Sequence, residues 1–455
     1  MAEEFTVERA NAYIAANKSK VNPLFRPKKH FTAEIGWIND PNGFVYFRGE
    51  YHLFYQFYPY GSFWGPMHWG HAKSSDLVNW EHLPVALAPD KPYDKDGCFS
   101  GSAIVKDDKL WLMYTGNVIQ DDGSVRQIQN MAVSEDGIHF TKIDENPVAT
   151  GDCLPAEFIS ADFRDPKLFE RNGRYYAVVA AKHMDNVGTV VLLGSDNLID
   201  WQFESTFLKG LPEQGFMWEC PDYFHLDGKD VLVVSPMRFQ HTEYDYRNLN
   251  STVAMIGKVD WESKTFQTEN IHEVDHGHDF YAPQSLEDEA SRRIAITWVH
   301  NWGRNFPPHD LGHEWAGSMT LPRRLRVVNH QLVQEILASS LNAFQTLSLN
   351  KEISHPGKFE LGVTESVQLR LGTDTDFISF GYDQDEGVVY IDRSQLKYQP
   401  IGEETWDISR RAVKIKAKNL LFIIDRNTIE IFVNDGMETL TSAFYIDQPC
   451  QLTRY

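Results

Sequence analysis

Residues 39–47 read N-D-P-N-G-F-V-Y-F, and four later segments repeat this kind of element. They are F-S-G-S-A-I-V (99–105), R-D-P-K-L-F (164–169), E-C-P-D-Y-F (219–224) and Y-A-P-Q-S-L (281–286). Four of the five copies carry a proline at the equivalent place. Asn, Asp, Pro and Gly dominate turns, so the first copy predicts a tight corner at the mouth of a strand.

A second motif follows each copy and predicts a strand that enters from a hairpin, because apolar and polar residues alternate and β-branched or aromatic residues are frequent. The five examples are G-E-Y-H-L-F-Y-Q (49–56), D-D-K-L-W-L-M-Y-T-G (107–116), N-G-R-Y-Y-A-V-V-A-A (172–181), D-G-K-D-V-L-V-V-S-P (227–236) and S-R-R-I-A-I-T-W (291–298). Five similar units, each able to supply about four strands, indicate a five-bladed β-propeller. A series of unrelated hairpins is the alternative.

The pattern changes after Pro322. Residues 329–346 predict a helical linker, and the closely spaced alternating runs of 347–455 predict an antiparallel β-sandwich. Residues 1–24 predict an N-terminal helical extension, which leaves 25–328 for the propeller. The expected fold is therefore all-β, with a catalytic propeller followed by a C-terminal sandwich.

Composition excludes several classes of partner and site. The formal net charge of −21 disfavours nucleic acids and anionic membranes, and the sequence contains no apolar run long enough to span a bilayer. Cys98, Cys153, Cys220 and Cys450 lack the spacing of a zinc site or a disulfide framework. The N-terminus lacks the apolar segment of a secretory signal. We expect a cytoplasmic protein without cofactor or metal.

Three of the five repeated elements carry an acid: Asp40, Asp165 and Glu219. The first residues of the innermost strands meet at one end of a propeller, so these acids are expected to converge on a funnel. Two carboxylates that face one bond are what glycoside hydrolysis requires. Arg164 is expected to keep Asp165 ionised. Trp218 and Cys220 beside Glu219 favour its protonated form, which suits a general acid.

These motifs, in this order, resemble the glycoside hydrolase family 32 β-fructofuranosidases, which include invertases and sucrose-6-phosphate hydrolases. The resemblance extends over nearly the whole chain. It also includes F-Y-Q-F-Y-P-Y-G-S-F-W-G-P-M-H-W-G-H-A (54–72), G-S-M-T-L-P-R (317–323) and, in the second domain, I-E-I-F-V-N-D-G (429–436). It implies a retaining hydrolase of sucrose, sucrose 6-phosphate or short fructo-oligosaccharides, with a small sugar as partner.

The resemblance also implies residue roles. Asp40 would be the nucleophile, Glu219 the acid/base, and Asp165 the stabiliser of the transition state. The residues that match the lining of the fructosyl pocket are Asn39, Gln56, Trp64, Phe99, Ser100, Arg164, Trp298 and Tyr281.

Two other functions remain open at this point: an inverting, arabinanase-like glycosidase and a carbohydrate-binding propeller without catalysis. The attached sandwich and the E-C-P triplet speak against the first, and the presence of all three acids speaks against the second. A phosphate on the glucosyl unit would require cations at the rim. Candidates are His68, Arg238, His241 and Arg304, although an ordinary surface role is favoured for each.

Overall fold

The computed structural model describes residues 5–407 and 409–455 and contains five small antiparallel sheets followed by two larger ones. Each small sheet is one blade of a propeller, and the strands below are given from the innermost outward. Blade 1 consists of Gly36–Phe47, Glu50–Tyr58, His68–Ser74 and Glu81–Leu87. Blade 2 consists of Cys98–Lys106, Lys109–Ile119, Val125–Ser134 and Thr141–Lys142. Blade 3 consists of Phe158–Arg171, Arg174–His183, Val187–Ser195 and Gln202–Lys209.

The last two blades follow the same plan. Blade 4 consists of Met217–Leu226, Lys229–Met237, Val253–Asp260 and Thr265–Glu273. Blade 5 consists of Tyr281–Glu287, Arg293–Trp298, Arg323–Val328 and Gln331–Ile336. The short strand Trp315–Ala316 pairs in parallel with the innermost strand of blade 1 and so ties blade 5 to blade 1. The ten strands predicted from the two repeated motifs are the first and second strands of the five blades.

The blades close into a ring because each one buries apolar side chains against the next. Separate apolar clusters fill the spaces between blades 1 and 2, 2 and 3, 3 and 4, 4 and 5, and 5 and 1. The five innermost strands contact one another in the same cyclic order. The five copies of the first repeated motif, three of which carry an acid, therefore start side by side around one axis, which confirms the predicted propeller.

Three further segments of the sequence resemble one another: S-S-D-L-V-N-W (74–80), S-E-D-G-I-H-F (134–140) and S-D-N-L-I-D-W (195–201). They form the turns between the third and fourth strands of blades 1, 2 and 3. In each turn a serine at the end of the third strand accepts a hydrogen bond from the amide three residues later, over 2.8–3.0 Å. The serines are Ser74, Ser134 and Ser195. Local side chain-to-backbone bonds of this kind fix the turn wherever the motif recurs.

The C-terminal domain is a β-sandwich, as predicted. One sheet consists of Gln345–Thr346, Gly357–Gly362, Asn419–Ile424, Thr428–Val433 and Glu438–Ala443. The other consists of Lys351–Ile353, Cys450–Arg454, Val367–Gly372, Phe377–Asp383, Val388–Asp392 and Arg410–Lys414. A single apolar cluster that includes Leu369, Phe380, Phe422 and Ile431 fills the space between the sheets.

Helical segments are short. They are the α-helices Val7–Asn17, Pro307–Asp310 and Ala338–Asn342 and the 3₁₀ turns Lys18–Lys20, Gly151–Cys153 and Pro212–Gln214. Thr6 caps the first helix by accepting a hydrogen bond from the amide of Arg9. Within residues 5–407 and 409–455, no helix is long and apolar enough to cross a membrane.

The predicted helical linker over 329–346 is wrong for its first half. Gln331–Ile336 is the outermost strand of blade 5, and only Ala338–Asn342 is helical. Asn329 and His330 both adopt positive φ, at 51° and 61°, and form a two-residue hairpin between paired Val328 and Gln331. Asparagine tolerates this backbone region well. Pairing in the sheet therefore outweighs the helical preference of the segment.

Candidate active site

A β-bulge interrupts each of the five innermost strands near its start. Pairing between the first two strands of each blade shifts after Ile38, Phe99, Arg164, Glu219 and Tyr281. A bulge adds one residue and redirects side chains. The N-D-P-N-G segment is thus not a free turn: it lies within the strand Gly36–Phe47 and carries two bulges. Its turn-forming residues favour the irregular backbone that points Asp40 into the funnel.

The bulges surround a cavity of about 200 Å³. Its lining contains nine of the eleven residues predicted from the sequence, together with Trp302: Asn39, Asp40, Gln56, Trp64, Phe99, Ser100, Arg164, Asp165 and Glu219. Residues from blades 1 to 4 thus meet in one small space, and Trp302 comes from the long loop of blade 5.

Asp40 is buried in this cavity. Its Oδ2 accepts a hydrogen bond from Ser100 Oγ over 3.0 Å and lies 3.4 Å from Cys220 Sγ. Its Oδ1 has no hydrogen-bond partner among the described residues. Burial raises the pKa of Asp40 to about 7, and the negative charges of Glu219 and Asp165 contribute in the same direction. One carboxylate oxygen is therefore held by donors, while the other is buried and makes no hydrogen bond within the described chain.

Asp165 is held more tightly. It has a positive φ of 64°, and its Oδ2 accepts a hydrogen bond from the backbone amide of Cys220 over 3.0 Å. Its own amide donates to Thr115 Oγ1 over 3.0 Å. Burial raises the pKa of Asp165 to about 6, with the charge of Arg164 opposing and that of Glu219 reinforcing the shift. The charge of Arg164 thus lowers the pKa of Asp165, as expected, but burial outweighs it.

Arg164 pairs chiefly with a different acid. Its Nη2 is 3.0 Å from Glu219 Oε1, whereas its Nε is 3.9 Å from Asp165 Oδ2. Asp162 and Gln127 hold the other side of the guanidinium at 2.8 and 3.2 Å. The two strands that carry Arg164 and Glu219 are neighbours at the axis, so the side chain reaches across the blade boundary rather than along its own strand.

Glu219 receives donors at both carboxyl oxygens. Arg164 contacts Oε1, and the hydroxyl of Tyr281 donates to Oε2 over 2.5 Å. Trp218, expected to form an apolar wall beside Glu219, is fully buried, and its indole donates to the carbonyl of Gln214. Tyr281 thus contacts an acid rather than lining the cavity.

Aromatic side chains form the mouth of the cavity. Trp64 is 47% exposed, and its ring centroid lies 6.0 Å from that of Phe99. Trp298, which the sequence suggested as a pocket residue, is fully buried beneath Trp302, with ring centroids 5.1 Å apart. The prediction for Trp298 is therefore wrong because alternation along its strand turns it into the core. Trp302 was not predicted from the sequence; its position in a long loop at the funnel end of blade 5 could have indicated that it lines the cavity.

The four candidate cations at the rim divide into two pairs. His68 is fully buried, and Arg304 is buried in an ion pair with Asp279 at 3.2 Å. The side chain of Arg238 is half exposed and lies 3.9 Å from Glu403. His241 is exposed and packs on Trp406 with ring centroids 4.4 Å apart. Only the second pair has a cationic or polar group in contact with solvent.

Comparison with known proteins identifies relatives for both domains. Residues 30–335 match the N-terminal domain of the glycosyl hydrolases family 32, and residues 324–453 match its C-terminal domain. Sucrose-6-phosphate hydrolase of Zymomonas mobilis is 38% identical over 97% of this chain and 91% of its own length. The Bacillus subtilis protein of the same name is 36% identical over 91% of this chain and 88% of its own length.

A solved structure gives the same result. The chain is similar to a mutant of the Bombyx mori GH32 β-fructofuranosidase in complex with sucrose, with a TM-score of 0.85 and 32% identity. The match covers 98% of this chain and 97% of the silkworm protein. Both domains are therefore included in the similarity.

Proposed function

Because the chain belongs to glycoside hydrolase family 32, we propose that it hydrolyses the fructosyl bond of sucrose or sucrose 6-phosphate with retention of configuration. The observation that carries the proposal is the meeting of Asp40 and Glu219, from blades 1 and 4, in one cavity of about 200 Å³. A pair of carboxyl groups beside one bond is what glycoside hydrolysis requires, and the family resemblance implies the retaining course. The relatives named for these substrates support the choice of sugar.

In the first step Asp40 attacks the anomeric carbon of the fructosyl unit. As the new carbon–oxygen bond forms, the bond to the glucosyl oxygen breaks, and Glu219 gives its proton to that oxygen. The glucosyl unit leaves as glucose or glucose 6-phosphate, and the fructosyl group remains on Asp40 as an ester. We assign the attack to Oδ1 of Asp40, because it makes no hydrogen bond within the described chain.

In the second step the Glu219 carboxylate accepts a proton from water, whose oxygen attacks the same anomeric carbon. The ester bond to Asp40 breaks, and fructose is released. Glu219 regains the proton that it donated. The acid and the nucleophile are thus both restored at the end of the cycle.

Asp165 serves this chemistry as a fixed negative charge. The backbone amide of Cys220 and the fold of the bulge hold its carboxylate in place, so it can accept hydrogen bonds from fructosyl hydroxyls and stabilise the positive charge that develops on the ring. Asn39, Gln56, Phe99 and Ser100 line the same fructosyl pocket. Trp64 and Trp302 at the mouth would pack against the leaving sugar.

Variants of the three acids test these roles with sucrose and with an aryl β-fructofuranoside whose leaving group needs no proton. Asp40→Ala should abolish the turnover of both substrates, because no covalent intermediate can form. Glu219→Ala should lose sucrose hydrolysis but release the aryl group in a first burst. Asp165→Asn should lose less than Asp40→Ala and mainly in kcat. Trapping of the fructosyl adduct on Asp165 would contradict the assignment of the nucleophile.

The stereochemical course separates this function from the inverting alternative. Fructose released from sucrose should appear first as the β-furanose anomer in proton NMR spectra, before mutarotation. An initial α-anomer, or cleavage of arabinan instead of sucrose, would support an arabinanase-like enzyme. Binding of sucrose without turnover by the unmodified protein would support a carbohydrate-binding propeller. Side-by-side kinetics with sucrose and sucrose 6-phosphate would identify the preferred leaving group.

The location of the protein in the cell stays a prediction. All four cysteines are free thiols in the structure, as a reducing compartment would keep them. Activity in the cytoplasmic fraction of the source cells would support a cytoplasmic location, and activity in the external fraction would contradict it.

A further inference from the structure

Asp245, Glu273 and His276 form a cluster outside the sugar cavity, where blade 4 meets the sandwich. Glu273 is the last residue of the outermost strand of blade 4, and Asp245 lies in the loop between its second and third strands. The backbone amide of His276 donates to the carbonyl of Thr439 in the sandwich. None of the three residues lines the sugar cavity, so the proposed hydrolysis does not account for the cluster.

The spacing of the cluster matches that of ligands around one metal ion. His276 Nδ1 lies 3.3 Å from Glu273 Oε2 and 3.5 Å from Asp245 Oδ1, and one potential ligand atom from each residue lies within 4.8 Å of the others. Ligands at the bond lengths of tetrahedral zinc are separated from each other by about 3.3 Å. The two distances from Nδ1 are close to that value.

The imidazole of His276 is oriented as a metal ligand. Its Nδ1 is buried and makes no hydrogen bond of good geometry within the described chain, although the side chain is only 5% exposed. Its Nε2 lies 3.1 Å from Glu438 Oε2, a carboxylate of the sandwich. Histidines that bind metals commonly donate their other ring N–H to a carboxylate, which orients the ring and increases its basicity. The cluster has this outer partner in place.

The charges also require a cation. Across the described part of the chain, the carboxylates of Asp245, Glu273 and Glu438 form ion pairs with His276 alone. One imidazole against three carboxylates leaves the group with excess negative charge.

We propose that Asp245 Oδ1, Glu273 Oε2 and His276 Nδ1 bind one Zn²⁺ ion, with Glu438 as the outer partner of the histidine. A donor set of one imidazole and two carboxylates, with water as the fourth ligand, suits zinc. Calcium takes six to eight oxygen ligands and magnesium a near-ideal octahedron, so neither fits this set as well. The half-exposed Asp245 leaves room for the water.

The metal would join the propeller to the sandwich through residues that lie far apart in the sequence. Glu273 and His276 follow blade 4, Asp245 belongs to its funnel-side loop, and Glu438 begins the last strand of one sandwich sheet. A cation bound by Asp245, Glu273 and His276 would hold the loop against the sandwich, because Glu438 of the sandwich fixes the ring of His276. The expected effect is therefore on stability rather than on the reaction at the acids.

Zinc binding to the full chain, purified without a polyhistidine tag and dialysed against chelator, tests the proposal. Equilibrium dialysis with metal analysis should find one Zn²⁺ per chain, and the melting temperature should rise with zinc concentration. Asp245→Asn should weaken binding roughly tenfold or more, and Glu438→Gln by about 10- to 100-fold. Because the readout is binding, the result does not depend on the proposed hydrolysis.

Glu243→Gln is the matched control, since it removes an exposed carboxylate from the same loop but not from the cluster. It should bind zinc as the unmodified protein does. Asp245 is itself half exposed, so its variant should fold, which circular dichroism can verify. Three results would overturn the proposal: no zinc bound by the unmodified protein, equal binding by Asp245→Asn, or an equal loss in Glu243→Gln.

Discussion

Ser100→Ala tests the electrostatics of the cavity directly. The hydroxyl of Ser100 donates to Asp40 Oδ2 over 3.0 Å, and a hydrogen bond to the ionised form lowers a carboxyl pKa. Its removal should therefore raise the pKa of Asp40 further above its value of about 7. Asp40 attacks only as a carboxylate under the proposed mechanism. The acid limb of the kcat/KM profile should then move to higher pH in the variant.

The size of the shift follows from the energy of the bond. A hydrogen bond to a charged group contributes about 1.5–3 kcal/mol, and about 1.4 kcal/mol corresponds to one pKa unit. The lost bond thus predicts a shift of roughly one to two units. Cys220 Sγ, 3.4 Å from the same oxygen, remains in the variant, so we expect a value near one unit. At pH 6 kcat/KM should fall roughly tenfold more than at the alkaline plateau.

The assay is the initial rate of sucrose hydrolysis between pH 4.5 and 9, because kcat/KM reports ionisations of the free enzyme. Ser102→Ala is the matched control: Ser102 lies on the same strand, is buried, and bonds only to the backbone of Pro166 and Leu168 at 2.8 Å. Its acid limb should stay in place. An acid limb of Ser100→Ala at unchanged or lower pH would refute the reasoning, and so would an equal shift in Ser102→Ala.

Two further perturbations address positioning and stability. Tyr281→Phe removes the donor to Glu219 Oε2 and should lower kcat roughly 10- to 100-fold with little change in KM; a change confined to KM would argue against a positioning role. His30 lies between Asp425 and Glu430, whose contacts raise its pKa to about 9 against the effect of burial. Its contribution to stability is complete below pH 6.5 and is lost as pH rises to 9, about 3 kcal/mol in chemical denaturation. His30→Gln should flatten that decline, and an unchanged slope would contradict the reasoning.

The propeller could be predicted because every repeat contains the same short sequence patterns. Alternation and turn residues mark the first two strands of every blade, and the serine turns recur in three blades. The outer strand of blade 5 was missed for the opposite reason. Gln331–Ile336 contains residues that also suit a helix, and only pairing with Arg323–Val328 makes it a strand. A short stretch of sequence does not show which strand it will pair with in the folded protein.

The members of the site could be predicted more fully than their contacts. Motifs at equivalent places in the repeat identify which residues converge, and nine of the eleven expected residues line the cavity. The partner of Arg164 could not be read from its neighbour Asp165, because the side chain crosses to Glu219 on the adjacent blade. The burial of Trp298 and the position of Trp302 at the cavity could not be predicted either. The direction of a side chain depends on strand register and on the path of the loop, which the sequence does not show.

The contacts of the acids explain why Asp40, rather than Asp165, suits the nucleophile. Asp165 Oδ2 accepts from the rigid backbone amide of Cys220, whereas Asp40 Oδ2 accepts from the side chain of Ser100, and Asp40 Oδ1 makes no hydrogen bond within the described chain. In the free protein, Arg164 and Tyr281 both donate to Glu219, and the charge of Glu219 is, after burial, the largest cause of the raised pKa of Asp40. Loss of that charge therefore favours the ionised form of Asp40, which is the form that the proposed attack on the anomeric carbon requires.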